Sequence, residues 1–214
     1  DISVTSGAHL ADVPNGTINI ACKNLELTST GGTPIVYQCA DFKVNAQEDV
    51  VIDGWTSAFI ITDIIAGGDI FVGNEKTTAA VFNGAASLKS INGDITIDHK
   101  GRICSGNYIV LEAAGDVTVN ADTPNPAFSA GSLTILGDNV TLTNASGHIT
   151  SVSVNDIDAK GDITIEGNSK GAPMLSGKVA FNADGNVTLS DNTTAMLSSG
   201  DPCDVAAKGY ITLT

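Results

Sequence analysis

Gly161-Asp162-Ile163-Thr164-Ile165 is followed 24 residues later by Gly185-Asn186-Val187-Thr188-Leu189, and after the same interval by Gly209-Tyr210-Ile211-Thr212-Leu213. Working outward, Gly115-Asp116-Val117-Thr118-Val119 and Gly93-Asp94-Ile95-Thr96-Ile97 are the same motif. Asn139-Val140-Thr141-Leu142 and Gly68-Asp69-Ile70-Phe71-Val72 are close relatives, and looser copies begin at Asp49, Asn24 and Asp1. With the Asp, Asn or Tyr as a phase marker, successive copies lie 23, 25, 20, 25, 22, 23, 23, 24 and 24 residues apart. A period near 23 that tolerates insertions is what one coil of a β-solenoid requires. Leucine-rich repeats carry a Leu-x-x-Leu-x-Leu frame that is missing, and propeller blades are about twice as long. The chain, residues 1–214, therefore reads as one all-β domain, a right-handed parallel β-helix of about nine coils of 20–25 residues.

Alternation assigns the faces. The two apolar residues of each marker strand are two apart and point into the core. The residue between them faces outward, giving a row of Thr96, Thr118, Thr141, Thr164, Thr188 and Thr212. A second strand lies in phase upstream. Three residues before the markers come Ala21, Ala46, Ala66, Ile91, Ala113, Leu136, Ala159, Ala183 and Ala207, expected inside at a narrow corner. Five before come Val44, Ile64, Leu111, Ile157, Phe181 and Val205, also expected inside. The Gly ahead of the marker suggests a sharp bend with positive φ. The Asp or Asn after it suggests a turn in which the side chain bonds its own backbone.

Each coil buries its inward side chains against the next, so stability is close to a sum over neighbours. The first and last repeats are strands without a capping helix, which points to a segment of a longer protein or to end-to-end self-association. Hydrophobic content is 42% but aromatic content only 5%, so the core is expected to consist of Val, Ile, Leu and Ala. Thr77 to Ser87 is the only stretch with any helical character, and its apolar spacing is irregular.

Lys and Arg number 10 against 24 Asp and Glu, a net charge of −14. Such a surface repels phosphate backbones and anionic membranes, which argues against nucleic-acid partners and membrane association. No apolar run approaches the roughly 18 residues of a membrane helix. Cys22, Cys39, Cys104 and Cys203 show no CxxC spacing, so no zinc or redox motif is visible, and buried thiols and disulfides both stay open. No cofactor motif is present: the chain has neither a phosphate loop nor a dinucleotide fingerprint.

The Gly-Asp-Ile-Thr-Ile and Gly-Asn-Val-Thr-Leu repeats resemble those of large secreted bacterial surface proteins, filamentous-haemagglutinin-type adhesins and autotransporter passengers. The resemblance covers nearly the whole chain and rests on a five-residue pattern. It implies an extracellular or cell-surface protein that acts as an adhesin-like binding or scaffold module, with a glycan or a host-cell protein as partner and no enzymatic activity.

Candidate sites follow from exposed chemistry. Trp55, with Tyr37 and Tyr108, could stack on sugar rings. Parallel β-helices of the pectin-lyase type also host polysaccharide lyases and hydrolases. For that alternative, Asp98, Lys100 and Arg102, with Asp122 one coil on, would supply a carboxylate and a base. The Asp/Asn column recurs at every coil as hard oxygens do in calcium sites, but lacks the calcium-roll spacing, so no metal is expected. The Thr row suggests ice binding as a minor alternative. Its neighbouring row reads Asp98, Asn120, Thr143, Glu166, Ser190 and Thr214, whose charges interrupt a flat array. His9, His99 and His148 share no ligand spacing, and sequons such as Asn139-Val140-Thr141 and Asn192-Thr193-Thr194 coincide with an Asn- and Thr-rich composition.

Overall fold

In a computed structural model of the chain, the described residues are all but 7–10, 13–14, 30–35, 55, 80–82, 123–125, 145–148, 168–174 and 191–201. Among them every regular element is a strand, and the strands pair in parallel into two ladders. The marker ladder stacks Ile2–Ser6, Leu25–Ser29, Val50–Asp53, Ile70–Ala79 and Ile95–Gly101. It continues through Val117–Ala121, Val140–Asn144, Ile163–Glu166, Val187–Ser190 and Ile211–Leu213. The second ladder begins with Thr17–Cys22, Val36–Ala46, Thr56–Ala66 and Ala85–Ser90. Tyr108–Ala113, Phe128–Gly137, Thr150–Ala159, Lys178–Ala183 and Cys203–Ala207 continue it, and the short strands Ala11–Asp12 and Ile103–Cys104 pair with Val36–Ala46 and Phe128–Gly137. Chain order alternates between the ladders, so each coil contributes one layer to both. The fold is a parallel β-solenoid.

It makes about seven turns rather than about nine. Ile211 and Leu213 are 50% and 70% exposed, and Ile2 is 38% exposed. At about 4.8 Å per step, the nine steps of the marker ladder still span about 43 Å.

The inside-outside assignment of the marker strands holds. Ile95, Val117, Val140, Ile163 and Val187 stack in register, as do Ile97, Val119, Leu142, Ile165 and Leu189, and all are buried. The core is not purely aliphatic, since Phe42, Phe128 and Phe181 are among its largest fully buried side chains.

Three corner residues are placed differently from expectation: Ala21 is exposed, and Cys22, the partner of Ala46, takes its inner position. Ile91 is 49% exposed and Leu136 lies in an outward column between Glu112 and Asp158, while Ser90 and Gly137 take the inner corner. Turn length is the cause. Two residues separate Ala113 from Asp116, but three separate Ser90 from Asp94 and one separates Gly137 from Asn139, so counting back from the marker slips by one.

The turn itself also works differently. Gly161 and Gly185 have no positive φ; among the described glycines only Gly177 does, at 81°. The marker side chain, expected to bond its own backbone, reaches instead into the next coil. The Oδ1 atom of Asn24, Asp49, Asp69, Asp94, Asp116, Asn139, Asp162 and Asn186 each accepts the backbone N–H of the next coil's marker at 2.7–3.0 Å. These bonds run along the rod and tie every coil to its successor at the corner. A Cβ on the glycine of the following coil would sit on that same oxygen, 2.1 Å away at Gly115 and 2.3 Å at Gly161. Glycine is therefore demanded by a side chain one coil back rather than by its own dihedral.

Candidate functional site

The residues proposed for catalysis are brought to one end of the strand Ile95–Gly101, where the ladder register shifts between His99 and Gly101. His99 adopts a φ of 52°, a left-handed conformation that His tolerates better than most residues. Asp98 Oδ1 accepts the His99 backbone N–H at 2.7 Å and the Asn120 side-chain amide at 3.1 Å. Its other oxygen lies 3.7 Å from His99 Nε2. Arg102 Nε donates to the Pro126 carbonyl at 3.0 Å. Asp98 and Arg102 are thus each bonded to the following coil, and these bonds join layers of the rod.

The Thr row exists as a straight column. Thr96, Thr118, Thr141, Thr164, Thr188 and Thr212 are aligned partner to partner along the marker ladder. Its neighbouring row is knitted by side-chain bonds, Asn120 to Asp98 and Thr143 Oγ1 to Asn120 Oδ1 at 3.1 Å. The Asp98 and Glu166 carboxylates interrupt it chemically.

Tyr108 opens its strand and is 38% exposed, Trp55 lies outside the described residues, and of Tyr37 only the backbone, paired with Asp12, is described. His9, His148 and Asn192 also lie outside the described residues. No cysteine forms a disulfide, and burial is the first cause that raises all four thiols above the usual range. That disfavours the reactive thiolate at neutral pH. Among the described residues no group of three or more His, Cys, Asp or Glu could hold a metal ion.

What sequence reasoning missed is a groove of about 940 Å³ along the corner where the second ladder turns toward the markers. Its floor is the small-residue column Ser90, Ala113, Gly137, Ala159, Ala183 and Ala207. One rim is the outward column Lys89, Glu112, Leu136, Asp158, Asn182 and Ala206. The other is formed by turn residues, among them Ile91, Ala114, Lys160, Asp184 and Lys208. The depression crosses six successive coils, about 24 Å at the spacing of neighbouring strands. It exists because the chain alternates out, in, out through this turn, leaving small side chains between two raised rows.

The rims are closed by ion pairs between neighbouring coils. Lys89 meets Glu112 at 2.6 Å, Lys160 meets Asp138 at 2.7 Å and Lys208 meets Asp184 at 2.7 Å. Asn182 donates its amide to Asp158 at 2.6 Å. A signal for this was present in the sequence: opposite charges recur one coil apart at 89 and 112, 138 and 160, and 184 and 208. None of Asp98, Lys100, Arg102 or Tyr108 lines the groove.

Asp156, two residues before Asp158 on the same outward face, has its carboxyl raised above the ordinary value, first by partial burial and then by the Asp158 charge. The native state thus holds this proton more tightly than the unfolded chain. The ionised group costs stability at neutral pH, and that cost fades as pH falls through the raised native value toward the unfolded one. Asp156→Asn is expected to raise Tm at pH 7, with the gain shrinking to nothing below the usual carboxylate range. A set of thermal melts against pH checks this, and a gain that grows on acidification would contradict it.

The chain matches no protein-family model, no curated protein and no solved structure.

Proposed function

We propose that the chain is a non-enzymatic, adhesin-like binding or scaffold module of the extracellular space or cell surface, a stiff rod that presents one long groove to a partner. The observation that carries this reading is the groove itself, which extends over six coils and is lined by side chains already held in place by bonds between coils. Preformed surfaces of this kind lose little freedom on binding. The repeat pattern's likeness to surface-protein repeats and the acidic composition support the same reading. The Asp98, Lys100 and Arg102 cluster lends less to the enzymatic alternative, because Asp98 and Arg102 are engaged in joining coils.

The test couples adhesion to the groove. Beads coated with the protein are expected to adhere to cells or extracellular matrix, and Ala114→Trp, which places an indole on the rim, is expected to abolish adhesion. Incubation with polysaccharides is expected to release no new chain ends. Polymer cleavage that disappears in Asp98→Asn would replace this reading with the enzymatic one.

A further inference from the structure

We infer that the groove takes an uncharged polysaccharide, bound as an extended chain along the rod. This rests on the binding-module reading and names the ligand class for that surface.

Shape is the first ground. The depression runs parallel to the stacking direction and repeats at each coil one small inner residue flanked by outward ones, so it suits a polymer whose successive units meet successive coils.

Charge is the second. The protein carries −14 overall, yet each groove lysine is closed on a carboxylate: Lys89 on Glu112, Lys160 on Asp138, Lys208 on Asp184. A polyanion would find these cations already neutralised and would be repelled by the acidic surface around them. A polycation would be drawn more strongly to the stacked carboxylates of Asp49, Asp69, Asp94 and Asp116 on the marker column. The groove is complementary to a ligand with no net charge.

Hydrogen-bonding chemistry is the third. Along the floor, backbone donors and acceptors are spent between coils: Ala114 N–H on the Ser90 carbonyl, Lys160 on Gly137, Asp184 on Ala159 and Lys208 on Ala183, at 3.0–3.1 Å. An extended peptide would find no strand edge to pair with, the interaction that gives such peptides their affinity. Recognition must come from side chains, here a line of ammonium donors, carboxylate acceptors and the Asn182 amide. Hydroxyls, each both donor and acceptor, suit that mixture. The outward side chains of Ile91, Ala114 and Leu136 offer apolar contact to the C–H faces of sugar rings.

The experiment titrates the intact protein by calorimetry with neutral β-glucan, xylan and mannan oligosaccharides, with polygalacturonate as the anionic probe and an extended-peptide library as the protein-like one. At least one neutral oligosaccharide is expected to bind, with affinity that barely changes from low to high salt. Ala114→Trp and, separately, Ile91→Ser should each weaken that binding roughly tenfold or more while leaving Tm unchanged. Two exposed positions are used so that a folding defect in one does not decide the matter. Binding of neutral glycans that survives both substitutions overturns the site. Groove-dependent binding of polygalacturonate or peptides in place of neutral glycans overturns the ligand class and leaves the binding module standing. If Ala114→Trp changes neither the adhesion of coated beads nor any titration, both readings fall.

Discussion

Gly185→Ala is expected to destabilise the rod by about 2–4 kcal/mol, although no positive φ at that position calls for glycine. A Cβ there would lie 2.2 Å from Asp162 Oδ1 and 2.9 Å from the carbonyl carbon and oxygen of Gly161. The carboxylate cannot simply swing aside. Its Oδ1 holds the Asn186 backbone N–H at 2.7 Å and the Asn186 amide at 3.1 Å, so retreat releases the bonds that fix the next coil. A glycine required by its own dihedral would give a cost independent of its neighbours. Here the cost should depend on residue 162. In an Asp162→Ala background, Gly185→Ala is expected to cost at least about 1 kcal/mol less, the coupling of two groups in contact. Urea melts of the four proteins in that cycle measure it, and simple additivity would mean that the Asp162 side chain is not what demands the glycine.

Ile163→Ala is expected to cost about 2–5 kcal/mol, because it empties volume between two layers that cannot collapse onto each other. Ile163 is fully buried and stacks between Val140 and Val187. The adjacent Thr164 faces out of the same strand, aligned with Thr141 and Thr188, and Thr164→Ser should stay within about 0.5 kcal/mol. Comparable damage from the two changes would mean that the strand is turned over and the register with it.

The layering was legible because it is periodic. Asp162-Ile163-Thr164-Ile165 and its copies state the strand, its face and its partner 23 or 24 residues away in one short pattern, and the ladders follow. Ile91 and Leu136 were misplaced because turn length varies, and a period of two carries no memory across an insertion. The role of Gly161 and Gly185 was misread for a different reason. Their constraint comes from a side chain one coil earlier, a contact that a local view of φ cannot contain. The groove was hidden in the same way, since its floor alanines are separated in sequence by whole coils and look like ordinary corner residues one at a time. Reading the chain as columns would have joined Lys89 to Glu112 and Asp184 to Lys208.

The marker bonds give the rod a definite mechanical character. They lie parallel to the axis beside the two strand ladders, so within a layer all three share any load, whereas the layers follow one another in series. Tension applied along the axis therefore loads one layer after another, and a coil yields only when its two ladders and its marker bond give way together. Each coil that yields frees about 23 residues, roughly 75 Å of chain. A rod built this way lengthens in steps under tension and dissipates work at each one, while the coils still stacked keep their surface intact.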